Sequence, residues 1–269
     1  MKYKLTAFAV FFSTCTCSAA ELELFTESFP PYNFVQEDKV VGINTDVLSL
    51  ACKQANIDCS FNLYPWKRAM DSVKRQPNSG LFSTARIPER EDSFIWLGPI
   101  VSSYSCFYKL TTRDDIVVDN YNALKDYTVG IPRSDIYENI LQRIGLSEGN
   151  NYLTFSKKHE DMAMFEQGKL DLIIGSSLTL SSQLTQVNLK PKDIEPVIEL
   201  KDIALVANYL ALNKNTNPEL VSKLQLALDQ IKANGLIESI ISKYVLINKD
   251  SNTSSTALSK RCVDGAAKY

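Results

Sequence analysis

Two repeats of a strand–helix–strand–helix–strand pattern constrain this fold more than any other feature of the sequence. In the first repeat, apolar periodicity predicts strands at 22–26, 59–63 and 81–84, with helices from about 44 and over 66–75 between them. Strands that alternate with helices in this way favour a parallel sheet with right-handed crossovers. The first half of the chain is therefore predicted to form one α/β unit.

The second repeat has the same order with different residues. It predicts strands at 127–131, 152–155 and 170–174 and helices at 135–144 and 160–167. Extended stretches at 102–110 and 203–212 run between the two units, and amphipathic helices follow over 218–233 and 236–245. The predicted fold class is α/β: a two-lobe clamshell in which each lobe is a mainly parallel sheet flanked by helices, and two hinge strands join the lobes. Closure around a ligand in the cleft is the motion expected of this fold.

These elements divide the chain into lobes and a tail. One lobe is predicted to comprise 21–101 together with 205–247, and the other 102–204. Residues 248–269 are rich in Ser, Thr, Lys and Asn and show no periodicity, so they are predicted to be a disordered C-terminal tail.

The N-terminal residues 1–20 contain two lysines, an apolar run and a small-residue ending, which is typical of a signal peptide cut before Glu21. The apolar run is well short of the ~20 residues that a membrane helix needs. A lipid anchor on Cys15 or Cys17 is disfavoured because Ser13-Thr14-Cys15 lacks the usual leucine ahead of the cysteine. The mature protein is expected to be exported.

Charge and cysteine content exclude several classes of partner. The chain has 29 Lys and Arg against 31 Asp and Glu, a balance that favours neither nucleic acid nor an anionic membrane surface. No metal or cofactor is predicted, because the cysteine spacing does not suit zinc and His159 is the only histidine. Cys52 and Cys59 flank a helix-to-strand connection, and a disulfide there would contribute roughly 2–3 kcal/mol; two buried thiols are the alternative. Cys106 could pair with Cys262, but the position of Cys262 in a polar tail does not favour this.

The segment from Gly80 to Phe94 is the strongest candidate for a binding element. A buried strand ends in the hydroxyls of Ser83 and Thr84, and two arginines follow around a proline turn. Strand ends are where an open α/β sheet forms its ligand crevice, and a guanidinium is suited to a carboxylate or phosphate. In the alternative interpretation, Arg86 and Arg90 are solvated charges paired with acidic residues of the same loop. The residues alone leave both open.

The chain resembles the periplasmic substrate-binding proteins of the polar amino-acid type (family 3, type II), the soluble components of ABC importers. The resemblance covers about residues 22–246. The motifs that carry it are Phe29-Pro30-Pro31-Tyr32, Gly42-Ile43-Asn44-Thr45-Asp46-Val47, Ile87-Pro88-Glu89-Arg90 through Phe94, and Glu166-Gln167-Gly168-Lys169-Leu170-Asp171-Leu172.

This resemblance implies a ligand set. Arg90 aligns with the arginine that holds the ligand carboxylate in amino-acid-binding members, and the neighbouring hydroxyl and backbone donors fall at Ser83, Thr84 and Ala85. Arg86 does not align with any ligand-binding residue of the family, so it stays a candidate for a loop charge paired with a nearby acid. The acid that holds the ligand ammonium aligns with Ser176, and a serine cannot neutralise an ammonium. This departure disfavours a free α-amino acid and leaves carboxylate-bearing or otherwise anionic ligands open.

The loop that is often Gly-Thr-Thr in the second lobe is Arg133-Ser134-Asp135 here. Arg133 adds a potential anion contact, and Ser134 is predicted to face the ligand, although capping of the next helix also explains Ser134 or Asp135.

The segment Tyr64-Pro65-Trp66-Lys67-Arg68-Ala69 resembles a subgroup with a Pro-Trp-x-Arg-Ala signature. Trp66 could form the cleft floor or a stacking platform, or pack the helix onto the sheet. Arg68 lies near a helix N-terminus, where the dipole disfavours a cation, so an anionic partner is expected. The loop after the first strand should place three further side chains at the cleft: Glu27, Phe29 and Tyr32.

The resemblance implies an exported periplasmic binding protein that traps a small polar, carboxylate-bearing ligand and delivers it to an inner-membrane ABC permease. A monomer is expected, with no catalytic residue. The same fold also serves periplasmic sensors or co-receptors, and a few dehydratases of cyclic acids. For the enzymatic alternative, Glu27 is the only candidate general acid.

Overall fold

The computed structural model describes residues 20–133, 135–157, 160–201, 207–245, 258 and 261–262. The strands are β1 (Ala20–Thr26), β2 (Phe34–Gln36), β3 (Lys39–Val41), β4 (Ile57–Leu63), β5 (Ser79–Thr84), β6 (Ile95–Ser102), β7 (Ser105–Leu110), β8 (Val129–Pro132), β9 (Tyr152–Phe155), β10 (Leu172–Ser176), β11 (Ile194–Glu199) and β12 (Ala207–Leu212). The α-helices are α1 (Ile43–Ala55), α2 (Trp66–Arg75), α3 (Pro88–Glu91), α4 (Ile136–Arg143), α5 (Met162–Glu166), α6 (Leu180–Leu184), α7 (Pro218–Ala233) and α8 (Leu236–Tyr244).

The strands form two five-stranded sheets, one in each lobe. In lobe 1 the order is β4-β1-β5-β12-β6, and in lobe 2 it is β11-β7-β10-β8-β9. Strand β1 is parallel to β4 and β5, and β8 is parallel to β9 and β10. One strand in each sheet, β12 or β7, runs antiparallel to both of its neighbours. The two-lobe α/β architecture predicted from the repeated pattern is confirmed.

Each crossing between the lobes joins two strands that belong to different sheets. The first crossing leads from β6 to β7 through Ser103 and Tyr104, and the second leads from β11 to β12 through 200–206, of which 202–206 lie outside the described residues. The predicted hinge strand at 102–110 is therefore interrupted where the chain changes lobe.

Both lobes have apolar cores on both faces of the sheet, because the side chains of a strand alternate between faces. Leu22 and Leu24 of β1 are buried against α1, α7 and α8, whereas Phe25 packs with residues of α2. In lobe 2, Phe107 belongs to one core cluster and its neighbour Tyr108 to the cluster on the other face. The structure also contains elements that the periodicity did not predict: the β2–β3 hairpin, β6, β11, α3 and α6.

Gly42 immediately precedes α1 and has a conformation that requires glycine. Its φ is +129°, and a Cβ atom at this position would lie 2.5 Å from the Tyr32 carbonyl oxygen. The backbone N–H of Asn44 donates a 2.9 Å hydrogen bond to the same Tyr32 carbonyl oxygen. The glycine lets the loop after β1 pack directly on the start of α1.

Two disulfides connect described residues. The predicted Cys52–Cys59 bond is confirmed and joins the end of α1 to β4. Cys106 is bonded to Cys262, which is fully buried in a lobe 2 core cluster with Leu258 packed against that cluster. The hydroxyl of Tyr108 donates a 2.6 Å hydrogen bond to the Cys262 carbonyl oxygen.

Two other predictions fall wholly or partly outside the described residues. The predicted tail at 248–269 differs from the structure at Leu258, Arg261 and Cys262, which lie against lobe 2, and the rest of it is not described. The predicted signal peptide lies outside the described residues except for Ala20, where β1 begins. Across the described ranges, no helix combines the length and apolarity that a membrane crossing requires.

Candidate functional site

A cleft between the two lobes brings together most of the predicted binding residues. It measures about 730 Å³, counted together with the space open to solvent. Lobe 1 contributes Glu27, Phe29, Trp66, Ser83, Thr84, Ala85, Arg90 and Asn208, and lobe 2 contributes Pro132, Arg133, Asp135, Ile136, Tyr137, Ser156 and Lys157. The lobe 1 wall follows the ends of β1 and β5, as the strand-end rule predicts.

Arg90 is a half-buried cation in the lobe 1 wall. Its Nη1 donates a 3.0 Å hydrogen bond to Thr84 Oγ1, and its Cζ lies 5.5 Å from the centre of the Trp66 ring. Burial lowers the pKa of the guanidinium, and the charges of Asp135 and Glu89 oppose that effect. Within the described part of the chain Arg90 forms no ion pair, so most of its five N–H donors are available to an anion in the cleft.

Thr84 and Ser83 support this site in different ways. Thr84 is only 1% exposed, and its hydroxyl orients Arg90. The hydroxyl of Ser83 donates to Asn33 Oδ1 and accepts a 2.8 Å hydrogen bond from Asn44 Nδ2. Both bonds are internal and fix the end of β5, and Ser83 also lines the cleft, so its contact with a ligand stays a prediction. Ser83 also has a φ of +60°, an uncommon conformation for this residue that costs about 1–3 kcal/mol.

The Pro-Trp-x-Arg-Ala segment is divided between cleft and surface. Trp66 lines the cleft, lies against Arg90 and also packs on the small core cluster of α2. Its ring therefore serves as a wall of the cleft and as packing between helix and sheet. Arg68 is exposed and absent from the cleft lining, and its Cζ lies 4.0 Å from the centre of the Tyr64 ring. Among the described residues no acid pairs with Arg68, and its guanidinium stacks on an aromatic ring; contact with an anionic ligand stays a prediction.

Tyr32 and Ser176 meet near the hinge and do not line the cleft. Tyr32 is buried, and its hydroxyl lies 3.1 Å from Ser103 Oγ, at the first crossing between the lobes. Burial raises the pKa of Tyr32, and hydrogen bonds with Ser103, Ser176 and Asn208 oppose the rise. Ser176 is buried as well, and its Oγ lies 3.2 Å from Thr179 Oγ1. Tyr32, Ser103 and Ser176 thus form a hydroxyl cluster that joins lobe 1, the crossing and lobe 2, and the ligand contacts of Tyr32 and Ser176 stay predictions.

Lobe 2 presents charged side chains to the cleft. Arg133 is exposed there, and its Nε donates a 3.4 Å hydrogen bond to Thr154 Oγ1. Asp135 caps α4 by accepting a hydrogen bond from Tyr137 N at 3.4 Å, and it also faces the cleft. Ser134 lies outside the described residues. Sequence reasoning missed Lys157, although its position just after β9 is again a strand end.

Arg86 does not belong to the cleft. It forms an exposed ion pair with Glu91, and its Nε lies 2.9 Å from Glu91 Oε2. The two arginines of the Gly80–Phe94 segment therefore separate: Arg86 is a paired loop charge, as predicted, and Arg90 lines the cleft.

A second, smaller cavity lies beside β8 and β10, two inner strands of the lobe 2 sheet. It measures about 380 Å³, counted with its open space, and is lined by Phe29, Gly130, Ile131, Pro132, Tyr137, Asp161, Ile174, Thr179 and Gln183. Phe29, Pro132 and Tyr137 also line the main cleft, so the two spaces share a boundary. Asp161 is 5% exposed, and burial raises its pKa to about 6. Sequence reasoning did not identify this buried acid.

Across the described ranges, no group of three or more His, Cys, Asp or Glu side chains could hold a metal ion. Two α/β lobes with the candidate site between them define the class of the molecule as a clamshell binding protein. The family model for bacterial extracellular solute-binding proteins, family 3, matches residues 24–247. The chain therefore belongs to this family, which confirms the resemblance seen in its motifs.

Relatives and solved structures agree with this assignment. The chain is 21% identical over 235 residues to an arginine-binding periplasmic protein of Mannheimia haemolytica, covering 86% of this chain and 93% of the relative. It is 23% identical over 251 residues to a protein of Escherichia coli (strain K12) named as ABC transporter arginine-binding protein 2, covering 90% and 98%. The structure of an ancestral arginine-binding protein bound to arginine matches with a TM-score of 0.69 at 19% identity, covering 84% of this chain and 98% of that one. This structural likeness shows the fold alone.

Proposed function

We propose that this chain is a periplasmic solute-binding protein that traps a small ligand of the amino-acid class between its lobes and holds the ligand carboxylate at Arg90. It delivers the ligand to an inner-membrane ABC permease, acts as a monomer and catalyses no reaction. The single observation that carries the proposal is the half-buried Arg90 guanidinium, which lines the cleft without an ion pair among the described residues. The names of the relatives support an amino acid as the ligand.

The surroundings of Arg90 suit a carboxylate. The hydrogen bond to Thr84 and the contact with the Trp66 ring hold the guanidinium in the cleft wall, and its other N–H donors make no ion pair among the described residues. Bidentate pairing with a carboxylate is the strong form of this contact. Because burial already disfavours the charged guanidinium, a bound anion would relieve part of that desolvation penalty.

The opposite wall supports closure on the same ligand. Arg133 and Lys157 come from lobe 2, whereas Arg90 and Trp66 come from lobe 1. A ligand that contacts both walls has higher affinity for the closed form, and this differential affinity is what shifts the lobes toward closure. Closed and open forms then differ in the surface that they offer to a permease.

A thermal-shift screen of the twenty L-amino acids against the intact protein tests the proposal. A ligand at 100 times its Kd stabilises by about 2.7 kcal/mol, which corresponds to a rise in Tm of roughly 5–10 °C for a chain of this size. Arg90→Ala should abolish the rise. Arg86→Ala is the matched control, because it removes an arginine of the same segment that lies outside the cleft.

Binding with unchanged affinity in Arg90→Ala would overturn the carboxylate clamp. A wild-type protein that responds to none of the twenty amino acids would overturn the ligand class. Mass spectrometry of the bound compound after long incubation tests the non-enzymatic role, since a binding protein returns its ligand unchanged.

A further inference from the structure

The ends of two adjacent strands bring two cationic side chains of lobe 2 to the cleft. Arg133 directly follows β8, and Lys157 is the second residue after β9. The two strands are parallel with Pro132 opposite Phe155, and the backbone N–H of Arg133 donates a 2.7 Å hydrogen bond to the Phe155 carbonyl oxygen. Because neighbouring parallel strands end at the same edge of a sheet, both cations belong to the lobe 2 wall of the cleft.

These two cations have no acidic partner among the described residues. Nε of Arg133 donates to the neutral hydroxyl of Thr154 at 3.4 Å, and that hydroxyl in turn donates to Glu148 Oε1 at 2.7 Å. The Glu160 carboxylate accepts the backbone N–H of Lys157 at 3.0 Å. Two positive charges at one sheet edge repel each other, and an anion bound near both would replace this repulsion by attraction to each.

The lining of the cleft contains more cations than acids. Among the described residues, the charged side chains that line it are the cations of Arg90, Arg133 and Lys157 and the acids of Glu27 and Asp135. Asp135 caps α4, and its charge raises the pKa of Arg90 against the effect of burial. The excess positive charge therefore lies at Arg133 and Lys157, on the wall across from Arg90.

An excess positive charge in the cleft favours a ligand with a net negative charge. A neutral amino acid leaves the excess in place, and L-arginine adds a second positive charge to it. An amino acid with two carboxylates and one ammonium cancels the excess. In a cleft that loses water on closure, this difference acts at a lower effective dielectric constant and changes affinity more than it would in bulk water.

We propose that Arg133 and Lys157 form a second anion subsite, so that the ligand is dicarboxylic, with one carboxylate at Arg90 of lobe 1 and the other at the ends of β8 and β9 of lobe 2. The inference rests on the proposed function, because it assigns the second end of the same ligand. It separates this chain from relatives whose names specify arginine. Since a different lobe binds each carboxylate, only the closed form satisfies both.

Calorimetry at low salt on the intact protein tests the subsite with matched pairs of ligands. The pairs are L-glutamate with L-glutamine and L-aspartate with L-asparagine, in which the amide keeps the shape of the acid and lacks its second negative charge. L-Arginine is the cationic probe, and succinate and glutarate are dicarboxylates without the amine. The acid of the binding pair should bind at least about tenfold more tightly than its amide, as expected for hydrogen bonds to a charged group, and L-arginine should bind more weakly than either.

Variants assign this preference to the two cations. Arg133→Gln/Lys157→Gln should abolish the preference for the acid over its amide. The matched control is Lys169→Gln/Lys192→Gln, which removes the same charge from exposed positions of lobe 2 outside the cleft and should keep the preference. Loss of the preference in both double variants would show that the overall charge of the lobe selects the ligand and would overturn the subsite. An acid and amide that bind the wild type equally would overturn it whether or not the variants fold.

The two proposals fail separately. Tightest binding of a neutral or basic amino acid, with loss of that binding in Arg90→Ala, contradicts the second anion subsite alone. Binding of succinate or glutarate but of no amino acid contradicts the amino-acid class alone. A wild-type protein that binds none of these compounds contradicts both.

Discussion

The hydroxyl of Thr84 accepts a 3.0 Å hydrogen bond from Nη1 of Arg90, which links the end of β5 to the cation of the cleft. Thr84 is buried and cannot move without disturbing the sheet, whereas Arg90 lies on the short helix α3. The hydrogen bond therefore restricts the conformations of the long, flexible Arg90 side chain. A binding site gains affinity from such preorganisation because less side-chain freedom is lost when the ligand binds.

Thr84→Val is predicted to weaken ligand binding about three- to tenfold, as expected from the loss of one hydrogen bond of about 0.5–1.5 kcal/mol. Valine keeps the shape of the side chain and removes the acceptor for Arg90. Calorimetry with the strongest amino acid of the thermal-shift screen measures the effect. Thr84→Ser retains the hydroxyl and should restore most of the affinity, and equal binding by wild type and Thr84→Val would exclude the orienting role.

The sequence predicted the fold better than the site, for physical reasons that particular residues show. Leu22 and Leu24 are buried, and the alternation of apolar and polar residues around them already predicts this. Strand β1 and the strands like it could therefore be recognised from the sequence without tertiary information. Arg90 could be identified as a candidate binding residue because it follows a strand end and also belongs to a motif of the family. The hydroxyl of Ser83, in contrast, forms hydrogen bonds with two asparagines that are distant in sequence. The residues around Ser83 in the sequence do not indicate these bonds.

The same limit applies to contacts between lobes and to the tail. Tyr32, Ser103 and Ser176 approach one another only because two lobes meet at a hinge. Cys262 lies in a polar segment, and its partner Cys106 is 156 residues away in sequence. Asp161 has the ordinary pattern of an acid at the start of a predicted helix, so its burial depends on Gly130 and on the cavity around it.

Removal of the Cys106–Cys262 bond is predicted to destabilise the protein more than removal of the Cys52–Cys59 bond. The separations in sequence are 156 and 7 residues, and loop entropy gives contributions of about 5 and about 2 kcal/mol. Urea unfolding of the two double Cys→Ala variants compares them directly. Equal losses would show that native packing, and not the length of the closed loop, determines the contribution.

Tyr32→Phe is predicted to change the balance between open and closed lobes more than it changes folding stability. The substitution removes the hydroxyl that contacts Ser103 and Ser176 and keeps the ring in contact with Phe29. We expect a loss of about 1 kcal/mol in the free energy of unfolding and an altered radius of gyration by small-angle scattering. Phe34→Leu, in the β2–β3 hairpin outside the cleft and the hydroxyl cluster, serves as the control. Scattering profiles that coincide for wild type and Tyr32→Phe, with and without ligand, would contradict a role at the hinge.

The buried acid of lobe 2 predicts a specific dependence of stability on pH. Burial raises the pKa of Asp161 to about 6 in the folded protein, from its ordinary value of 3.8, so between these pKa values the folded state binds a proton that the unfolded state has released. Stability from this group therefore rises as pH falls from about 6 to about 4, by about 3 kcal/mol in total. Above pH 6 the full penalty of the buried charge is present.

Urea unfolding of wild type and Asp161→Asn at pH 7.5 and pH 4 isolates this contribution, because other acids titrate alike in both proteins. Glu91 and Asp115, whose pKa values are lowered by Arg86 and Arg113, reduce the stability of both as pH falls. Asp161→Asn should exceed the wild type in stability at pH 7.5 and approach it at pH 4. A difference between the two proteins that is the same at both pH values would show that Asp161 is not an unpaired buried carboxylate.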